Sequence, residues 1–373
     1  MQMTINKERI GPIEAVSLAV VFISAKIFLT YPAFMVNLGL SAAWMVIFVA
    51  VLFSLLAFLP LAFLMDKYPG KSIIEIGEEL VGPYLNILFA LGYLSFLLAV
   101  ETMVLRQFAE RALTVSIPQL PISVAMSGLL LGVVVACYLG LEAIARSTRI
   151  SFLFIGILFG LVIIATSPYW SLNNMAPLLG PGLAEVMGSG IMKISLTSEI
   201  FLLAIIYPSI NLGQNWNMWK LGFYSLIIAG AILVITVVTY LLTFPVPVAK
   251  EIPLPTFEMA RLIYFGRFVQ RLEPIFLPMW ALAALLKITI GAYAILSLTT
   301  SLLKLPYYRP FILPLTVIII SVAFIPSNVS TALIVDEKII RTWGWIPTFG
   351  LPVILLGVAT WRRKGMNPGD ENT

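Results

Sequence analysis

Apolar residues in this chain run together in long blocks rather than alternating with polar ones. A helix needs about 20 apolar residues to cross a hydrocarbon core. Ten stretches meet that need, at roughly 11–38, 42–65, 84–115, 121–142, 149–169, 183–211, 217–245, 272–303, 308–326 and 343–361. The polar intervals between them are too short to form a soluble domain. The pattern therefore predicts an all-α polytopic membrane protein of ten transmembrane helices, one integral membrane domain over residues 1–373 with a short tail at 363–373. Three intervals look structured. Lys71–Leu80 reads as a small amphipathic surface helix, residues 173–182 as a Pro/Gly-rich loop, and residues 251–270 as a longer loop with a helical stretch at Glu258–Phe265.

Composition agrees with lipid as the solvent. Hydrophobic residues make up 60% of the chain and charged residues 11%, less than half the ~25% of a soluble domain. An ordinary cytosolic enzyme, a disordered protein and a nucleic-acid binder are excluded. Histidine is absent and Cys137 is the sole cysteine. That removes His-based metal sites, Ser-His or Cys-His catalytic pairs and an internal disulfide. The sequence holds no metal cluster, nucleophile–base pair or phosphate loop, so it points away from an enzyme and calls for no cofactor. The opening MQMTINKERIGPIE is polar and lacks a short apolar core with a cleavage site, so no removable signal peptide is expected.

Lys and Arg set the expected orientation. With the N-terminus inside, twelve fall in inner segments, Lys7, Lys71 and Arg146 among them. Six fall in outer segments: Lys250, Arg261, Arg267, Arg271, Lys338 and Arg341. Both termini are then cytoplasmic.

Two segments 173 residues apart resemble each other. Ser24-Ala25-Lys26-Ile27-Phe28-Leu29, with Tyr31-Pro32 beyond, lies in the first span. Thr197-Ser198-Glu199-Ile200-Phe201-Leu202, with Tyr207-Pro208 beyond, lies in the sixth. Five spans is an odd number, so the second copy enters the membrane inverted. That is the five-plus-five inverted repeat of secondary transporters, with the first helix of each copy broken at the midplane. The copies would cover about residues 10–170 and 183–362.

Four ionisable residues sit at mid-span: Lys26, Glu101, Glu199 and Lys287. Each isolated charge at the bilayer centre costs about 2.5–3.5 kcal/mol, so four would cost on the order of 10 kcal/mol. Turning them inward, to pair or to line a wet cavity, is cheaper. Two readings stand. They form a ligand site, or they form structural ion pairs that lock the bundle. In the first reading an unwound turn near Ser24, Ala25, Lys26 and Ile27, and another near Thr197 and Ser198, frees backbone groups for a ligand. A ligand carboxylate would meet backbone N–H groups with Lys26, and its ammonium would meet carbonyls with Glu199 or Glu101. Lys193, Glu14, Glu110 and Arg111 lie nearer span ends and are assigned no role.

The loops carry a resemblance. Tyr68-Pro-Gly-Lys71 followed by Ile76-Gly-Glu-Glu-Leu-Val-Gly82, then Leu105-Arg106-Gln-Phe108-Ala-Glu110, then Gly140-Leu-Glu142-Ala-Ile-Ala-Arg146, and Phe268-Val-Gln-Arg271-Leu-Glu273-Pro-Ile-Phe276 together resemble the spore germination permease family. This is the B subunit of spore germinant receptors, within the amino acid–polyamine–organocation superfamily. The resemblance covers nearly the whole chain. It implies that Arg106, Glu142, Arg146, Arg271 and Glu273 set helix packing and loop position. It implies a receptor subunit in the inner membrane of a dormant spore that senses a small nutrient, an amino acid above all. Its partners would be a larger membrane-bound A subunit and a C-subunit lipoprotein. One departure stands out. The wider superfamily has glycines at the first-helix break, whereas Ser24-Ala25-Lys26 has none. Lys26, and Lys287 likewise, would then supply the cation that another transporter binds, leaving no need for sodium. A proton-coupled amino-acid transporter and a non-sensing scaffold remain the alternatives.

Overall fold

The computed structural model describes residues 9–116, 118–265, 269–270 and 272–364. Helix α1 (Pro12–Ser24) starts on a proline, whose missing N–H costs nothing at that position, and Glu14 accepts from Gly11 N at 2.7 Å. The helix then breaks. Ala25–Phe28 form a 3₁₀ turn, Leu29 is extended, and Tyr31-Pro32 restarts a helix as α2 (Tyr31–Gly39). Next come α3 (Ala43–Lys67), α4 (Ile73–Val81), α5 (Pro83–Val115), α6 (Ile122–Leu139) and α7 (Leu141–Ala165).

The sixth apolar stretch breaks in the same way. Helix α8 (Leu183–Met192) passes into a 3₁₀ segment, Ile194–Phe201, before α9 (Leu202–Ile206). There follow α10 (Met218–Thr243), α11 (Val246–Glu251) and α12 (Pro255–Leu262). A two-residue antiparallel ladder, Tyr264–Phe265 with Val269–Gln270, precedes α13 (Glu273–Leu302) and α14 (Ile312–Ala323). The last stretch is one continuous helical run: α15 (Val329–Ile334), a π-helical segment at Val335–Ile340, α16 (Arg341–Trp343), a second π segment at Ile346–Gly350, and α17 (Leu351–Lys364).

Eight helical stretches among the described residues are long and apolar enough to span a membrane, and Arg309–Ala323 is a shorter apolar helix. Helix α1 with its 3₁₀ turn runs over Pro12–Phe28. The sequence pattern placed the last span at 343–361 and left Lys338 and Arg341 in an outer loop. The helix instead begins at Val329. Asp336, Glu337, Lys338 and Arg341 lower the local hydropathy, yet Arg341 is buried inside the bundle. The helical part of the long loop lies at Pro255–Leu262, a few residues ahead of the expected stretch. Arg271 and the 365–373 part of the tail lie outside the described residues.

Glycines set the closest helix approach. A Cβ at Gly222 on α10 would overlap the Phe58 ring on α3, and one at Gly230 would press on Val51. Helix α4 carries a capping box: Ser72 Oγ accepts from Glu75 N, and Glu75 Oε2 accepts from Ser72 N. It buries Ile73, Ile74, Ile76 and Leu80 and is tied to the end of α13 by Lys304–Glu78 at 2.6 Å. Glu79 pairs with exposed Lys71 and raises the lysine pKa. At the same end of the bundle the chain's start meets the end of the sixth stretch. Ile10 N donates to Ser209 O at 3.0 Å, and Asn211 N donates to Ile10 O at 2.9 Å.

Replacing Gly222 with valine should overpack the α3–α10 contact by about 1–3 kcal/mol. Gly128→Ala, whose new methyl meets nothing within 4 Å, should not lower stability. Thermal unfolding of the purified chain in detergent checks both. An unchanged transition for Gly222→Val would show that this contact has slack.

Candidate functional site

The two broken helices meet at their breaks, and the residues that meet are charged. Lys26 Nζ lies 3.0 Å from both carboxylate oxygens of Glu199. Lys26 Nζ also donates to the Leu196 carbonyl, within the 3₁₀ segment of the sixth stretch, at 2.5 Å. Lys287, at the middle of α13, donates to Glu199 Oε1 at 3.3 Å and to Phe22 O, next to the first break, at 2.7 Å. Its ammonium also sits 4.6 Å above the Phe22 ring. Arg341 Nη1 donates to Glu199 Oε1 at 2.8 Å, while its Nε reaches Asp336 Oδ1 at 3.1 Å.

Glu199 is thus a wholly buried carboxylate held by three cations from three separate elements. Lys26, Lys287 and Arg341 are 4%, 1% and 3% exposed. Asp336 and Arg341 are five residues apart. In an α-helix neighbours on one face are three or four apart. The π turn at Val335–Ile340 widens the helix by one residue and stacks these two side chains.

The other expected site residues occupy different surroundings. Ser24 Oγ donates to Val20 O at 2.7 Å, an ordinary helix back-bond. Ser24, Ala25 and Ile27 line an apolar cavity of about 190 Å³ shared with Phe28, Phe152 and Phe159, and Glu199 is not part of its lining. The Ile27 carbonyl freed by the break accepts from Thr256 Oγ1 on α12 at 3.1 Å. Thr197 Oγ1 donates to Ser54 Oγ on α3 at 2.6 Å, and Ser198 Oγ accepts from Thr348 in the second π segment at 2.9 Å. Glu101 is wholly buried against Gly291, where a Cβ would collide with its carboxyl. Neither of its oxygens has a hydrogen-bond partner among the described residues.

The expected packing residues form local pairs. Arg106 bonds Glu110 at 3.0 Å and Ser327 O at 3.1 Å, tying α5 to the turn before α15. Glu142 pairs with Arg146 on the first turns of α7, and Glu273 with Arg261 at 3.5 Å. Lys193 bridges to the last helix through Glu337 O and Thr342 Oγ1.

Arg341 and Asp336 are the residues that sequence reasoning missed at the centre. Arg341 was counted among the outer-loop cations. The usable signal was the residue pair itself, but its five-residue spacing fits no α-helical register. Between the breaks and the last helix lies a cavity of about 20 Å³ lined by Lys26, Tyr31, Gln107, Asp336, Glu337 and Arg341. That is room for about one water. The centre is therefore closed around its own ion pairs. No group of three His, Cys, Asp or Glu residues placed to hold a metal ion occurs among the described residues.

A family model described as "Spore germination protein" matches residues 9–332. The chain belongs to this spore germination permease family. Similar proteins include spore germination protein KB of Bacillus subtilis (strain 168), 25% identical over 86% of this chain and 87% of that protein. Spore germination protein YndE of the same organism is 23% identical over 86% and 88%. Among solved structures, a manganese transporter of Eremococcus coleocola superposes with a TM-score of 0.55 at 15% identity, covering 93% of this chain and 77% of that one. At that identity the likeness concerns the fold alone. The architecture is a transporter fold, an integral membrane bundle with broken first and sixth helices. Asp336 and Arg341 lie beyond the matched residues.

Stripping a buried ion pair of one partner costs about 3–5 kcal/mol, because the survivor is left uncompensated. Glu199→Gln takes the carboxylate from Lys26 and Lys287 and leaves Arg341 with Asp336 alone, whereas Lys26→Met leaves Glu199 with two cations. Glu199→Gln should therefore lower the melting temperature of the purified chain more than Lys26→Met. Equal or reversed effects would show that Glu199 is not the hub of the cluster.

Proposed function

We propose that the chain is the membrane subunit of a spore germinant receptor that binds a small nutrient, an amino acid, at its mid-membrane charge cluster and thereby triggers germination. Membership of the spore germination permease family supports the setting. Spore germination protein KB of Bacillus subtilis, similar over most of both chains, supports it further. In this reading the partners are a larger membrane-bound A subunit and a C-subunit lipoprotein. The location is the spore inner membrane, with both termini cytoplasmic.

The observation that carries the ligand reading is the Lys26–Glu199 pair between the two helix breaks. A zwitterion offers one carboxylate and one ammonium, the two groups this pair already joins. Such a ligand replaces the pair's internal partners without leaving any charge bare, which makes opening the cluster affordable in lipid. The pair is then a lock whose key has the lock's own chemistry.

A second reading is an active proton-coupled amino-acid transporter. Glu101 favours it, since a buried carboxyl with no fixed partner is free to carry a proton past the site. Two measurements separate the readings. Labelled amino acid that binds the chain in liposomes without crossing supports the sensor, and uptake by the chain alone supports the transporter. Spores carrying Lys26→Ala should lose their amino-acid response. An unchanged response would remove the charge cluster from ligand recognition.

A further inference from the structure

Two helices turn matching stripes toward a gap on the outside of the bundle. On α7, Phe152, Gly156, Gly160 and Ile163 follow at steps of four, four and three residues, which keeps them on one face. On α10, Tyr224, Ile228, Ile232 and Ile235 follow at the same steps. Helix α1 packs against both α7 and α10, which stand apart from each other. The gap is thus a groove with α1 as its floor. Two apolar cavities, of about 250 and 190 Å³, lie end to end in it and share Phe152. The first starts at Ile13 and Trp216. The second ends at Ala25, Ile27 and Phe28, on the first helix break.

The chain's own side chains do not fill this groove. A methyl at Gly156 or Gly160 would meet nothing within 4 Å. An apolar cavity of about 150 Å³ already stays dry and takes apolar guests, and an unfilled one forfeits dispersion contacts along its walls. Gly156, Tyr224 and Ile235 are exposed, so the groove opens sideways onto the lipid-facing surface. Its filling therefore comes from the membrane. A helix is about 10–12 Å across, too wide for cavities of this size, whereas an acyl chain is slender. The eleven residues from Ile13 to Ser24 rise about 16 Å, half of a ~30 Å hydrocarbon core. That is the depth which the chain of one leaflet covers.

The mouth of the groove has a different chemistry. One turn nearer the start of each helix, both stripes continue into a cation. Arg149 lies three residues before Phe152, and Lys220 four before Tyr224. Both are exposed, and neither pairs with a carboxylate among the described residues. Lys220 Nζ reaches the Asn215 carbonyl at 2.6 Å. Trp216 and Tyr224 pack beside it with ring centroids 5.6 Å apart, and such rings sit at headgroup level. Two cations above an apolar groove complement the phosphate of a lipid headgroup.

We propose that the groove between α7 and α10, floored by α1, binds one anionic phospholipid. Its phosphate meets Arg149 and Lys220. One acyl chain follows α1 past Phe152 and Gly156, and the chain's far end packs on Ala25, Ile27 and Phe28. Lys26 belongs to the same 3₁₀ turn and reaches Glu199. The lipid thus packs on the turn that presents Lys26 to the charge cluster. The site stands whatever that cluster recognises.

The test uses the full chain in phosphatidylcholine nanodiscs. Two photoactivatable probes are compared, a phosphatidylglycerol and a phosphatidylcholine, each with a diazirine at the end of one acyl chain. Labelled peptides are mapped by mass spectrometry. The phosphatidylglycerol should label the 24–28 turn and the facing part of α7 above all other lipid-facing segments. It should do so about tenfold more than the phosphatidylcholine, the worth of one hydrogen bond to a charged group. Gly156→Leu with Gly160→Leu fills the groove and should abolish this labelling. Gly128→Leu, on α6, also meets open space and should leave it unchanged. Arg149→Gln with Lys220→Gln should erase the preference for phosphatidylglycerol. Melting temperature in the same samples should hold for all three variants. If the filled groove prevents folding, the Arg149→Gln and Lys220→Gln protein still decides, because a retained preference overturns the site. Even labelling of every lipid-facing helix overturns it too, as does equal labelling by the two probes. A co-purifying protein that shields α7 and α10 from both probes would assign the groove to a partner instead, with the same consequence.

Discussion

Everything at the centre of this bundle is arranged around one buried carboxylate. Glu199 is wholly buried, so the fold must bring its counter-charges from elsewhere in the chain. Lys26 comes from the first broken helix, Lys287 from α13 and Arg341 from the last helical run. Three cations around one carboxylate would repel each other. Backbone carbonyls moderate that repulsion, with Leu196 O taking Lys26 and Phe22 O taking Lys287. One of those carbonyls lies in the sixth-stretch break and the other just before the first. The breaks in the helices and the charges in the membrane thus depend on each other. Unwound backbone in lipid needs donors, and buried ammonium groups need acceptors.

The internal repeat gains a physical meaning from the same contact. Lys26 and Glu199 are 173 residues apart, the offset at which the two segments align. Equivalent positions in the two halves carry opposite charges and bond to one another. A symmetric residue pair would have placed like charges at the contact. The asymmetry of sequence at that single position lets two similar halves close on themselves. The last helix then completes the cluster through a π turn, which puts Arg341 and Asp336 side by side.

The bundle and the mid-span charges were legible because lipid makes both loud. Long apolar blocks have few other meanings, and Lys26, Glu101, Glu199 and Lys287 each interrupt one. Arg341 was hidden by the same logic. With Asp336, Glu337 and Lys338 nearby, it sits in a stretch polar enough to read as loop, and hydropathy does not see a partner 142 residues away. Tyr31 and Gln107 carried no signal at all, since a tyrosine and a glutamine near span ends are ordinary. That the Tyr31 hydroxyl and Gln107 Nε2 lack partners among the described residues is visible only in three dimensions. Ser24, Ala25 and Ile27 were chosen by position in the break. A helical turn has several faces, though, and theirs looks onto an apolar cavity.

The backbone bridge between Ile10 and Ser209–Asn211 divides the molecule mechanically. It lies at one end of the two broken helices, and the Arg341–Asp336 contact lies toward the other. At the first end the two halves are stitched by main-chain hydrogen bonds, so the start of α1 and the exit of the sixth stretch form one stiff clamp. Toward the second end the broken helices and the last helical run meet through side chains, Lys26 and Arg341 on Glu199 and Lys193 on Thr342. A main-chain seam at one end thus faces a clasp of charged side chains toward the other.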